Sequence, residues 1–257
     1  MSAVATIAGR HALVTGGGSG VGRSIALGLA GAGLDVTICG RREAALAGVA
    51  SESDRIFGIA ADVSDEAAMA SLYRQTEAAR GPIDIVVANA GMSSSAPAQR
   101  TSLADWQRTL DVNLTGAFLT VKPALAGMIT RKTGRIIFVA STAGLKGYPY
   151  VAAYVAAKHG VVGLMRALAV ETAKSGVTVN AVCPGFVETD MLEESIQRIV
   201  EKTGRTVEEA RTSLASTNPQ GRFIQPEEVA AAVLWLCGDA AQSITGQTIS
   251  ISGGETW

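Results

Sequence analysis

Apolar positions in this chain follow two rhythms that alternate along its length. Short runs rich in valine and isoleucine predict seven strands: His11–Thr15, Asp35–Cys39, Arg55–Ala61, Ile83–Ala88, Arg135–Ala140, Val177–Cys183 and Gln247–Ser252. These runs are nearly continuous, the pattern of strands covered on both faces. Between them, helical spacing predicts a helix from the loop after the first strand to about Ala32. Further helices are predicted over Asp65–Ala79, Leu103–Met128, Ala152–Lys174 and Pro226–Cys237, the last with proline in its first turn. Strand–helix alternation over residues 1–257 predicts one α/β domain built on a doubly wound parallel sheet of about seven strands. Residues 188–221 break the rhythm. They are polar and helix-prone, and their length predicts a lid or binding insertion.

Composition narrows the function. Twenty-two Lys+Arg against 23 Asp+Glu give a net charge of −1, so no basic field is present to hold a nucleic-acid backbone. The longest uncharged apolar run, Val229–Cys237, has nine residues, and no membrane span is expected. Residues 1–10 lack a secretory pattern. Cys39, Cys183 and Cys237 are isolated, and are expected as reduced, buried thiols of a cytoplasmic protein rather than disulfide or zinc partners. With only His11 and His159, no His-rich metal site is expected, and both are read as structural. Trp106 and Trp235 lie on helical patterns and are expected in the core or an interface. Glycine is in excess at 29 residues of 257, against a usual share of about 7%.

The excess concentrates at Thr15-Gly-Gly-Gly-Ser-Gly-Val-Gly22, the first strand-to-helix turn. There, backbone N–H groups and a helix N-terminus favour phosphate. After the second strand stand Gly40-Arg41-Arg42, with no acid until Glu43. A carboxylate there would pair with the ribose of NAD, whereas a planar guanidinium suits a 2′-phosphate. NADPH is therefore favoured, with Arg41 as main contact and Arg42 second, and NAD remains open. Tyr154 and Lys158 are four apart on a helix and share a face. A phenol titrates near pH 10, and a neighbouring ammonium lowers that value enough for proton exchange with an alcohol or carbonyl oxygen. Ser141 adds a hydroxyl at the carboxyl end of the fifth strand.

The TGxxxGxG spacing, Asp62-Val63, Asn89-Ala90-Gly91, Asn113, Ser141, Tyr154-x-x-x-Lys158 and Pro184-Gly185 with Thr189 stand in order. Together they resemble the short-chain dehydrogenase/reductase family over residues 9–254. The family often has a second Asn where Ala88 stands. The resemblance implies a Rossmann-type sheet of order 3-2-1-4-5-6-7. It implies a nicotinamide dinucleotide held by Gly16, Gly18, Ser19, Gly20, Val21, Gly22, Asp62, Val63, Asn89, Ala90, Gly91, Pro184, Gly185, Val187 and Thr189, with Asp62 against the adenine. It also implies catalytic roles for Ser141 on the reacting oxygen, Tyr154 as proton donor, Lys158 on Tyr154 and the ribose, and Asn113 on a water in the proton path. Residues 180–191 resemble polyketide ketoreductases and 3-oxoacyl thioester reductases, so reduction of such a ketone is expected. The alternatives are an NAD-dependent 3-hydroxyacyl-CoA or cyclic alcohol dehydrogenase and, ranked lower, a non-catalytic dinucleotide-binding protein. Arg100, Lys146 and Arg198 are open between CoA or carrier contacts and plain surface charge. A homotetramer through the 103–128 and 152–174 helices, with Gly253–Trp257 at a second interface, is the implied assembly.

Overall fold

A computed structural model describes Ile7 and residues 9–257. Seven parallel strands form one sheet in the order β3-β2-β1-β4-β5-β6-β7. They are β1 (His11–Thr15), β2 (Asp35–Gly40), β3 (Ile56–Ala60), β4 (Ile85–Ala88), β5 (Gly134–Val139), β6 (Val177–Pro184) and β7 (Thr248–Ile251). The helices are α1 (Gly20–Gly31), α2 (Glu43–Ala50), α3 (Glu66–Arg80), α4 (Leu103–Leu110), α5 (Gly116–Arg131), α6 (Ala152–Thr172), α7 (Asp190–Thr203), α8 (Val207–Ala215) and α9 (Pro226–Cys237).

Strand side chains alternate between two apolar layers. Ala12, Val14, Val36, Ile38, Ile85 and Val87 pack under Ile25 and Leu29 of α1 and Val229 and Val233 of α9. Leu13, Val86, Ile136 and Phe138 face the other way, onto Leu72 of α3, Val121 and Met128 of α5, and Val161 and Met165 of α6. Burial on both faces is why the strand sequences read as unbroken apolar runs. The chain order reverses between β1 and β4, so the strands' carboxyl ends open a crevice there. Thr15 closes its floor: its Oγ1 accepts from the amides of Asn89 (3.0 Å) and Ala90 (3.1 Å).

Several expectations need correction. The strands expected over 55–61 and 83–88 are shorter at their ends, and α2 had no sequence signal. The helix expected over 103–128 is α4 and α5 joined by a π-turn at Asp111–Thr115, where Gly116 N–H reaches back to the Asp111 carbonyl. Residues 188–221 hold two helices. α8 carries a Thr206–Glu209 capping box, and the pair encloses a small core of Leu192, Ile196, Ala210 and Phe223. Gly134 and Gly176 are close-contact positions: a Cβ would meet Met128 Sδ at 2.6 Å and Lys132 O at 2.4 Å. Trp235 is 43% exposed and Trp106 partly exposed, so neither belongs to the core. The segments Leu103–Arg131 and Ala152–Thr172 each contain a window whose length and mean hydropathy (1.3 and 1.2) would suffice to cross a membrane. Their apolar surplus has a local cause, since one side of each packs on the sheet.

His11 is buried, with its ring nitrogens bonded to the Gly81 carbonyl and Thr37 hydroxyl, 3.0 Å each. The three cysteines are buried and free. Burial pushes the thiols of Cys39 and Cys237 up to about 12 and that of Cys183 to about 11.

Candidate active site

One cavity of about 1200 Å³ runs along the carboxyl ends of the strands. Ligand pockets for single small molecules are typically about 300–1,000 Å³, so this volume suits a cofactor together with a substrate. Its wall includes every cofactor-site and catalytic residue named from the sequence, from Gly16 of the glycine loop to Thr189 before α7. Of the three cations left open, Arg100 and Arg198 line it. Lys146 does not; its Nζ pairs with Glu255 at 3.0 Å.

The nucleotide end follows from the glycine loop. Gly16 and Gly20 take φ of +67° and +51°, conformations that side chains rarely adopt. A Cβ on Gly22 would stand 2.3 Å from the Gly16 carbonyl oxygen. Asn89 Nδ2 donates to the Thr15 carbonyl at 2.8 Å and fixes the turn from the β4 side. Behind the loop, α1 begins without a side-chain cap on Ser19 and without an acid in its first turn. By contrast, α3 and α4 are capped by Asp65 and Ser102. Uncapped amides beside a loop with no room for side chains fit a dinucleotide phosphate. Arg41 and Arg42, both exposed, flank the same end, with Arg42 Nη2 donating to Ser19 Oγ at 3.3 Å. Asp62 is held by Ser64 N–H (2.9 Å) and Oγ (2.7 Å), and these bonds pull its carboxyl below the usual range.

The catalytic end is built on β5 and α6. Ser141 follows β5 and accepts from Ala143 N–H at 3.1 Å. Tyr154 and Lys158 project from the first turns of α6. Lys158 is buried, its Nζ donates to the Val139 carbonyl at 2.9 Å, and it lies 5.6 Å from the Tyr154 ring centre. Desolvation lowers the Lys158 ammonium to about 8. The same desolvation pushes the Tyr154 phenol above its ordinary value, with the Ser141 hydroxyl pulling the other way. The sequence led to the opposite expectation for Tyr154. Burial is the largest cause, because it disfavours the charged phenolate.

Asn113 comes from the π-turn. Its Nδ2 donates to the Met92 and Thr109 carbonyls (2.9 Å each), and its Oδ1 accepts from Met92 N–H at 3.2 Å. The side chain thus clamps the loop after β4 onto the helix. Gly91 separates it from Lys158: a Cβ there would meet Asn113 Oδ1 at 2.8 Å and Lys158 Nζ at 3.7 Å.

Residues 10–199 match the family described as short chain dehydrogenase. The chain belongs to that family. It is 38% identical to a D-beta-hydroxybutyrate dehydrogenase of Cupriavidus necator, over 96% of this chain and 97% of that one. It is also 38% identical to a 3-oxoacyl-acyl-carrier-protein reductase of Synechocystis, over 95% of each. A crystal structure of an actinorhodin polyketide ketoreductase variant with NADPH superposes with a TM-score of 0.93 at 38% identity, covering 98% of this chain and 99% of that one. As a short-chain dehydrogenase the protein is an oxidoreductase, and nicotinamide cofactors serve the family.

Other wall residues of this dehydrogenase had no sequence signal. Tyr148 and Phe186 meet edge to face with centres 6.5 Å apart. Tyr148 donates to Glu255 Oε1 at 2.5 Å and bonds the Thr142 hydroxyl at 2.6 Å. The Glu255 side chain is only 2% exposed. Tyr150 holds φ of +67° while its carbonyl accepts from Ala96 N–H at 2.8 Å, tying together two loops of the cavity wall. A bulky residue in that region is strained, and such strain concentrates at functional walls.

Proposed function

We propose that this protein is an NADPH-dependent ketoreductase acting on the 3-oxo group of an acyl thioester or polyketide. The observation that carries the reading is the grouping of Ser141, Tyr154 and Lys158 on the wall of the cavity that also holds Arg41 and Arg42. A nicotinamide bound in that cavity supplies the hydride. The chain's own residues supply position and a proton. Ser141 Oγ donates to the ketone oxygen and orients it. Tyr154 gives that oxygen its phenolic proton. Lys158, anchored on the Val139 carbonyl, stabilises the phenolate left behind. Asn113 keeps the loop around Gly91 in place beside the lysine, where a water in the proton path would be held.

Similarity to named 3-oxoacyl and polyketide reductases supports the substrate class. The likeness to a D-beta-hydroxybutyrate dehydrogenase supports a second reading, oxidation of a 3-hydroxy acid or thioester with NAD. The α7–α8 hairpin is read as the lid over the substrate end. Leu103 and Val170, each 79% exposed, are read as faces buried in a homotetramer, and the three buried thiols accord with a cytoplasmic protein. A panel of 3-oxo thioesters and 3-hydroxy acids, assayed with both cofactors, tests the reading. It expects kcat/KM for NADPH to exceed that for NADH. A ratio below one removes the cofactor assignment.

A further inference from the structure

We propose that the cavity-facing stripe of α7 ends in a phosphate subsite, built by Arg198 and Lys202 with Arg205 and Arg100. It would take the phosphate of a phosphopantetheine arm, whether carried by CoA or by an acyl-carrier protein. The proposal rests on the thioester reading above and names the part of the substrate that this surface reads.

Charge is distributed unevenly. The chain nets −1, yet the cavity wall carries seven Lys and Arg side chains against two acids, Asp62 and Asp190. Arg41 and Arg42 belong to the nucleotide end and Lys158 to the chemistry. The other four have no such task. The helix explains their placement. α7 starts immediately after Thr189, whose Cγ2 would lie 3.0 Å from a Cβ on Gly20 of the glycine loop, so its first turn adjoins the cavity wall there. Among its cavity residues, Met191, Ser195, Arg198 and Lys202 fall at intervals of four, three and four, one face of a helix, with Asp190, Leu192, Ile199 and Thr203 beside them. At about 1.5 Å per residue, Lys202 is roughly 16 Å along the axis from Met191. Along the helix from its start, the face passes from methionine through a hydroxyl to two cations. Of the acids of the same helix, Asp190 at its start lines the wall, whereas Glu193, Glu194 and Glu201 do not.

The cations are also weakly compensated. Arg198 Nη1 is 3.8 Å from Glu194, its Nη2 donates to Ser195 Oγ at 2.8 Å, and its Nε is buried with no partner. Among the described residues, Arg100, Lys202 and Arg205 join no ion pair, whereas Arg211 of the neighbouring α8 is paired with both Glu188 and Glu193. A pantetheine thioester has the complementary order: reactive acyl group, long uncharged arm, then phosphate.

The test compares one 3-oxoacyl group presented on N-acetylcysteamine, on pantetheine 4′-phosphate, on CoA and on a carrier protein. In the wild type, the ratio of kcat/KM for the pantetheine-phosphate thioester over the N-acetylcysteamine thioester should be large and should shrink with added salt. In Arg198→Ala/Lys202→Ala it should fall at least about tenfold, the scale of losing charge-assisted contacts. Arg198→Lys/Lys202→Arg should restore most of it. The CoA and carrier substrates should fall in parallel. An unchanged ratio overturns the proposal, as does a loss confined to CoA, which would point to its 3′-phosphate, or one confined to the carrier. If the wild type reduces simple ketones but none of the thioesters, the thioester reading itself fails. That result differs from thioester turnover with an unchanged ratio, which removes only the subsite.

Discussion

At Lys158 the fold carries a cost in stability. A buried ammonium is costly, and the lowering of Lys158 from 10.5 to about 8 measures that cost, on the order of 3 kcal/mol. Because the folded value is depressed, the full cost is present below pH 8 and is relieved between pH 8 and 10.5. Lys158→Met is therefore expected to melt at higher temperature than the wild type at pH 7 while losing turnover. The gap should close as melting curves are repeated toward pH 10.5. A variant that melts lower at pH 7 would place the lysine among the stabilising groups instead. Tyr154→Phe keeps the ring and removes only the hydroxyl. It should lose at least about 100-fold in kcat, the low end for one general acid, with the melting temperature little changed. Near-normal turnover would remove Tyr154 from the proton path. The spacing of these two residues was readable from the sequence because a helix repeats. The direction of the phenol's shift was not, because it depends on how much water the fold excludes.

At the scale of an element, α1 does two jobs and its glycines divide accordingly. Gly22, in its first turn, faces the Gly16 carbonyl so closely that Gly22→Ala should cost about 1–3 kcal/mol by overpacking and weaken binding of the nicotinamide cofactor. Gly31, at the other end of the helix, is exposed with nothing within 4 Å of a built Cβ. Gly31→Ala should stabilise by about 0.4–1 kcal/mol. Chemical denaturation of the two variants, with a cofactor titration of the first, checks opposite signs for one substitution in one helix. Elements were legible where burial is continuous, as in β1 or β6. α2 was missed because only Leu46 and Val49 of its eight residues are buried. The π-turn was missed because apolar spacing runs on through it, and the extra residue shows only in the Gly116 N–H bond back to the Asp111 carbonyl. The Tyr148–Glu255 bond joins residues 107 apart in the chain, beyond the reach of any local pattern.

At the scale of the whole molecule, the sheet serves as a frame whose two helical layers differ. One layer, α1, α2 and α9, closes over the sheet. The other, α3 to α6, is apolar on its outward side as well, with Leu103 and Val170 turned away from the core. If these faces meet in a tetramer, Leu103→Glu with Val170→Lys should lower the sedimenting mass in analytical ultracentrifugation while far-UV circular dichroism is unchanged. A monomeric wild type would refute the assembly. Strand–helix alternation made a doubly wound parallel sheet legible at this scale, while the strand order came only with the family resemblance carried by the motifs. Which helical faces stay uncovered was not legible, because a face that packs on the sheet and one that awaits a partner have the same composition.

The three buried cysteines turn the fold into its own recording device. Each thiol has zero exposure and resists ionisation, so none reacts with an alkylating agent until its surroundings open. Cys39 lies in β2, Cys183 in β6 and Cys237 at the end of α9, three separate stations of one frame. Their relative labelling rates under native conditions therefore rank the opening of the nucleotide half, the substrate half and one covering layer. The Cys39 carbonyl accepts from Gly17 N–H at 3.2 Å, so this station registers when the glycine loop is pinned by a ligand, without any dye or tag.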